Sequence, residues 1–223
     1  AQTCRSPLSP FLPAPAFADV RKADVVLGQT VDARGLSVAQ CPSIDAEYAL
    51  VMDAEGTVYF ERNAQSPAQI ASITKIMTAV VALDAVEAGE TTLDAPVPVS
   101  AAAAAVGESS AGLQEGDVMD LETALKALLV PSGNDAAVAI AEALGGSVEA
   151  FVERMNEKAA ELGCADTVYE NPHGLDYDQY AGDLHSTAAD VAGAVRHAME
   201  NDVFRSPVSR GSTDTAGRPR GPA

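Results

Sequence analysis

Ala71-Ser72-Ile73-Thr74-Lys75-Ile76-Met77-Thr78 is the stretch on which the reading of this chain turns. At 3.6 residues per turn, a serine and a lysine three apart share one helix face, near enough for the amine to take the hydroxyl proton. Ile73, Ile76, Met77, Val80, Val81 and Leu83 extend an apolar helical face and Gly89 is a natural stop, so a helix is predicted from about Ser72 to Gly89. Burial on that face favours the neutral amine, the form a base needs. A serine at the helix N-terminus also meets free N–H groups able to polarise an attacked carbonyl. With 15 serines and four lysines in 223 residues, about 0.3 such pairs arise by chance, so the context carries the weight.

That context includes Pro131-Ser132-Gly133-Asn134-Asp135-Ala136-Ala137, where Ser132 and Asn134 straddle a glycine at a tight turn and point into a shared cleft. Upstream, Tyr48-Ala49-Leu50-Val51-Met52 and Thr57-Val58-Tyr59-Phe60 flank Asp53-Ala54-Glu55-Gly56, the pattern of a β-hairpin. Extended and turn-like sequence follows the Ser72 helix as far as Gly116. Helices are predicted over 121–129, 134–144 and 148–162, the last capped by Ser147 and stopped by Gly163. After an Asn171-Pro172-His173-Gly174 turn, a final helix is expected from about Thr187 to Glu200. No internal repeat is visible.

Composition narrows the class. An apolar share of 47% permits a core, and 4% aromatic residues point to closely packed, alanine-rich helices. No run approaches the roughly 18 apolar residues of a membrane span. With 32 Asp and Glu against 14 Lys and Arg, nucleic acid and anionic membranes are excluded as partners. Cys4, Cys41 and Cys164 lack metal-ligand spacing, and a Cys41–Cys164 bridge is one pairing the sequence leaves open. Ala16-Phe17-Ala18, after a proline-rich start, has the small-x-small pattern of a signal-peptidase site, so residues 1–18 read as the end of an export leader. An irregular lead-in to residue 43 follows.

The two serine motifs, with Asn171-Pro172-His173-Gly174-Leu175-Asp176 and His185-Ser186-Thr187-Ala188-Ala189-Asp190, resemble the serine-type D-alanyl-D-alanine carboxypeptidases. These are the low-molecular-weight penicillin-binding proteins of peptidase family S11, and the resemblance runs from about Tyr48 to Phe204. It implies an α+β, β-lactamase/DD-peptidase-like transpeptidase fold, a helix-rich subdomain beside an antiparallel sheet. It also implies Ser72 as the nucleophile that forms an acyl-enzyme with the penultimate D-alanine of a peptidoglycan stem peptide, and Lys75 as its base. Ser132 would relay protons to the leaving D-alanine, Asn134 would hydrogen-bond the substrate backbone, and the Ser72 N–H would be half of an oxyanion hole. Neither a metal nor a cofactor is implied, β-lactams become covalent inhibitors, and the site of action is extracytoplasmic, in the cell envelope. His173 and His185 are expected to make structural hydrogen bonds.

One family motif is absent: none of Lys22, Lys75, Lys126 and Lys158 is followed by Thr-Gly. In the family that triplet binds the substrate carboxylate and adds the second oxyanion donor. The expected organisation is therefore a leader and lead-in over 1–43, a truncated catalytic domain over 44–205, and an aberrant arginine- and proline-rich tail over 206–223. The sheet would be reduced to the hairpin. Two other functions stay open: a non-catalytic remnant that binds peptidoglycan or a partner, and, ranked last for want of a deacylating glutamate motif, a β-lactamase. A Ser-His-Asp protease gains nothing, since no Gly-x-Ser-x-Gly elbow occurs.

Overall fold

Two-residue strands open the described residues: β1 (Val25–Val26) and β2 (Gln29–Thr30) face each other across a Leu27-Gly28 turn whose residues both have positive φ, 49° and 75°. A pair of left-handed residues is what a two-residue hairpin turn requires. The computed structural model describes residues 24–35 and 44–209. The export leader expected over 1–18, Cys4, Cys41 and most of the expected tail lie outside the described residues.

Contacts divide the chain into two units, Ala1–Asn63 and Ala64–Ala223. In the first, a short helical turn α1 (Val31–Arg34) follows β2, and β3 (Ala49–Met52) pairs with β4 (Val58–Arg62) as the predicted hairpin. Asp53 organises the hairpin turn: its carboxylate accepts from Thr57 N–H at 2.8 Å and from the Tyr59 hydroxyl at 2.8 Å. The sheet is four-stranded and antiparallel, in the order β2-β1-β4-β3, with β1 hydrogen-bonded to β4. This corrects the expectation that the sheet is the hairpin alone; the expected lead-in over 19–43 holds β1, β2 and α1 within its described residues 24–35, and the rest of it lies outside them. Strands of two residues are too short to show a period-2 pattern.

What anchors β1 is a charge pair read from neither strand. Arg62, 1% exposed, binds Asp24, 2% exposed, through Nη2 at 2.8 Å and Nε at 3.0 Å. Its Nη1 donates to the carbonyls of Ile44 and Ala46 at 2.9 and 3.0 Å. A planar five-donor fork suits such a crowd of oxygens.

The second unit is built around one helix. A 3-10 turn (Ala71–Thr74) leads into α2 (Lys75–Glu87), whose residues Met77 through Leu83 are all buried. There follow β5 (Pro96–Pro98), α3 (Ala101–Ala105) and β6 (Val118–Asp120), with β5 and β6 forming a separate two-stranded ribbon. Then come α4 (Leu121–Leu129), α5 (Asn134–Gly145), α6 (Val148–Glu161), α7 (Ala188–Ala198) and α8 (Asp202–Val208). Helices α4, α5, α6 and α7 all pack on α2. Ala79, Ala82, Ala136, Ala137, Ala139 and Ala141 have no exposed surface, so small side chains let backbones approach closely where a larger core would hold them apart.

Caps set the helix starts: Asp120 accepts from Thr123 N–H at 2.7 Å, Ser147 from Ala150 N–H at 3.1 Å and Thr187 from Asp190 N–H at 3.0 Å. Asp84 of α2 is a polar junction beneath, 2.9 Å from Lys158 of α6 and 3.0 Å from His197 of α7. Helix α3 was not predicted, and α8 crosses the expected boundary at 205/206. The Asn201 side chain accepts from Val203 N–H at 2.8 Å, and Phe204, 4% exposed, seats α8 in the core despite Pro207. Cys164 is a buried free thiol donating to Asp190 O at 3.4 Å. No helix among the described residues is long and apolar enough to cross a membrane.

Candidate active site

The 3-10 turn leaves Ser72 exposed at the surface end of α2, while Lys75, the first residue of α2, is 2% exposed. Lys75 Nζ donates to Ser72 Oγ at 3.0 Å and to the carbonyl of His173 at 3.0 Å. Burial lowers the Lys75 pKa to about 8 against a smaller opposing pull from the Asp135 carboxylate. An amine so placed is neutral often enough near pH 8 to take a proton from the serine it touches.

The Asn171-Pro172-His173-Gly174 turn is pressed onto the first turn of α2. Thr78 Oγ1 donates to Pro172 O at 2.6 Å, one helical turn beyond the Lys75 contact. Asn171 shapes the turn from within, its Oδ1 accepting from His173 N–H at 3.2 Å and Gly174 N–H at 2.6 Å and its Nδ2 donating to Leu175 O at 2.8 Å. Gly174 has φ +92°, and a Cβ there would lie 1.9 Å from the carbonyl oxygen of Ala71, the residue before Ser72. Gly174→Ala is therefore expected to cost on the order of 2–4 kcal/mol from strain and clash and to push the Ser72 turn away. Urea unfolding and penicillin labelling would both register it, and wild-type values in both would show that the turn yields freely.

His173 is no base. Its ring is 2% exposed, accepts from Leu175 N–H at Nδ1 and meets the Tyr180 ring edge-on at 4.7 Å. Burial, helped by the Lys75 charge, pushes its pKa down to about 4, so it stays neutral. His185 Nδ1 lies 2.6 Å from Asp183 O, in the same loop.

Ser132 and Asn134 come from the connection between α4 and α5. Ser132 is half-buried with φ +60°, an uncommon conformation for serine. Asn134, the first residue of α5, is 1% exposed; its N–H donates to Ser109 O at 2.8 Å and its Nδ2 to Gly107 O at 2.9 Å. Its Oδ1 is buried with no partner among the described residues. The structure thus joins Ser72 to Lys75 directly. Helix α5, which opens at Asn134, packs on α2, and the Asp135 carboxylate is near enough to act on the Lys75 charge. Three contributors were not predicted: the His173 carbonyl, Thr78 and Asp135. A backbone carbonyl leaves no mark in a sequence, and an acid in the first turn of a helix reads as an ordinary dipole partner. Among the described residues no group of three or more His, Cys, Asp or Glu could hold a metal ion.

Comparison with known proteins supplies the family. Residues 36–209 match the Peptidase S11 family, described as D-alanyl-D-alanine carboxypeptidase. The carboxypeptidase DacF of Bacillus subtilis is 37% identical over 149 residues, covering 66% of this chain and 37% of that protein. DacC of Escherichia coli is 38% identical over 171 residues, 74% of this chain and 42% of its own length. The crystal structure of penicillin binding protein 6B from Escherichia coli superposes with a TM-score of 0.73 at 34% identity, over 81% of this chain and 58% of that one. The chain spans about two-fifths of the length of these two curated relatives. An α+β body of the DD-peptidase type, with a lysine-linked serine at the head of its central helix, places this chain in the peptidase S11 family of D-alanyl-D-alanine carboxypeptidases.

Proposed function

We propose that this chain carries the acylation machinery of a serine D-alanyl-D-alanine carboxypeptidase that acts on peptidoglycan stem peptides in the cell envelope and is blocked by β-lactams. The observation that carries the reading is the 3.0 Å contact from a 2%-exposed Lys75 to Ser72 Oγ. Neutral Lys75 takes the Ser72 hydroxyl proton as Oγ bonds to the carbonyl carbon of the penultimate D-alanine. The Ser72 N–H stabilises the oxyanion. As the C–N bond breaks, the proton on Lys75 passes through the Ser132 hydroxyl to the departing D-alanine amine, and the Asn134 carboxamide holds the substrate backbone. Water then hydrolyses the ester and restores the serine. With a penicillin, the leaving amine stays tethered in the opened ring, so the ester persists.

The test is intact-mass analysis after incubation with benzylpenicillin, with Ser72→Ala as control. One adduct on the wild type and none on the control supports the reading. No adduct on a folded protein overturns it in favour of binding without turnover. The pH profile is a further expectation. Because the base is the neutral amine and its pKa is about 8, the acylation rate should rise about tenfold per pH unit below that point and level off above it. A rate flat between pH 6 and 9 would remove Lys75 from the role of base.

A further inference from the structure

We propose that Asp135 is a positioning residue of the site, a buried carboxylate that straps the 107–113 segment to the start of α5 and so fixes which way the Asn134 carboxamide faces. The inference rests on the acylation reading above and extends it to a residue with no part in the proton transfers.

Asp135 is 1% exposed. Its Oδ2 accepts from the Ser110 hydroxyl at 2.7 Å and Leu113 N–H at 3.1 Å, and its Oδ1 from Ala111 N–H at 3.0 Å and Ala136 N–H at 2.9 Å. Four donors occupy the roughly four acceptor sites of a carboxylate. Burial pushes the acid up, but the bonds from Ala111, Ser110, Leu113 and Ala136 outweigh it and hold the pKa below the usual carboxylate range, so the group is ionised.

Three of those four bonds reach a segment with no helix or strand of its own. Its near end is the part that matters for chemistry. With 110–113 fastened, Ser109 O meets Asn134 N–H at 2.8 Å and Gly107 O meets Asn134 Nδ2 at 2.9 Å. A carbonyl only accepts, so Gly107 selects the amino side of the carboxamide and turns Oδ1 the other way. That Oδ1 is the buried acceptor with no partner among the described residues. An acceptor so left is costly until a donor arrives, and an N–H of the bound acyl donor is the complementary group. The strap sets a polar atom against substrate that would otherwise be free to flip.

Asp135 also faces Lys75 electrically. Its carboxylate is the charge from α5 that opposes deprotonation of the amine, while the Ser72 hydroxyl and the His173 carbonyl contact that amine from the 3-10 turn and the 171–174 turn. The neighbouring His173 ring is neutral. Removing the Asp135 charge therefore makes Lys75 easier to deprotonate.

Asp135→Asn keeps the shape, drops the charge and sets an amino group against a backbone donor of the strap. Its acylation by benzylpenicillin is expected to slow about tenfold on the high-pH plateau, where Lys75 is neutral in both proteins. The rising limb of its pH profile should move to lower pH, and the amides of Ala111 and Leu113 should exchange faster with deuterium. Ser110→Ala, which loses the bond to Asp135 and the one its hydroxyl accepts from Gly112 N–H but no charge, should slow the plateau about threefold and leave the rising limb in place. A wild-type plateau rate in Asp135→Asn, or an unmoved limb, overturns the proposal. If that variant does not fold, a wild-type plateau in Ser110→Ala does so. Should the wild type itself take no acyl group, the carboxypeptidase reading fails separately. Faster exchange of the 111 and 113 amides in Asp135→Asn then still supports the strap, and unchanged exchange overturns it.

Discussion

Lys75→Met will slow acylation of Ser72 by benzylpenicillin about 10²–10⁴-fold, the range for a lost general base, without weakening the fold. The two halves of this expectation share one cause. Lys75 is a cation 2% exposed, with a pKa of about 8 against 10.5 for a solvated lysine. Between those values the unfolded chain binds more protons than the folded one, so stability rises with pH across that window. Below about pH 8 the penalty is complete, roughly 3 kcal/mol. Methionine fills the same space without charge and removes it. Against this stands the His173 carbonyl, which loses its donor at a cost of about 1–3 kcal/mol. The melting temperature at pH 7 should hold or rise while labelling collapses. Lys75→Arg should not rescue, because a guanidinium keeps its proton throughout. A variant that labels normally, or one that loses fold and labelling together, would contradict the account.

Arg62→Met should destabilise the β1–β4 sheet by about 3–5 kcal/mol, the usual result of removing one member of a buried ion pair. The loss is large because of what remains. Asp24, 2% exposed, loses its guanidinium, and the carbonyls of Ile44 and Ala46 lose donors at 2.9 and 3.0 Å. The double variant Asp24→Leu/Arg62→Met should recover most of the loss, since well-packed apolar pairs often replace buried ion pairs at little cost. Hydrogen exchange at the amides of 25–30 and 49–62 is the readout. Equal protection in Arg62→Met and wild type would mean that the pair adds little to the sheet.

The contrast between these predictions follows what the sequence displays. The serine and lysine were legible because they sit three apart at the head of a long apolar helix, and α4 through α7 were legible from periodicity and signals such as the Ser147 cap. The Asp24–Arg62 pair joins residues 38 apart, and no local pattern marks such a bond. Helix α3 is five alanines, strong helix formers with no polar face to give a period. The strap at Asp135 was hidden differently: its residues are visible, but their partners are mostly backbone N–H groups, which every residue carries.

Ser132 holds a left-handed backbone that glycine would adopt with less strain, at a cost on the order of 1 kcal/mol. In a mutant library enriched for heat resistance alone, Ser132→Gly should therefore accumulate. The same library sorted for fluorescent penicillin capture should retain serine. Position 132 would then separate two selective histories, telling from variation alone whether a population of such chains has been kept for its chemistry or only for its ability to fold.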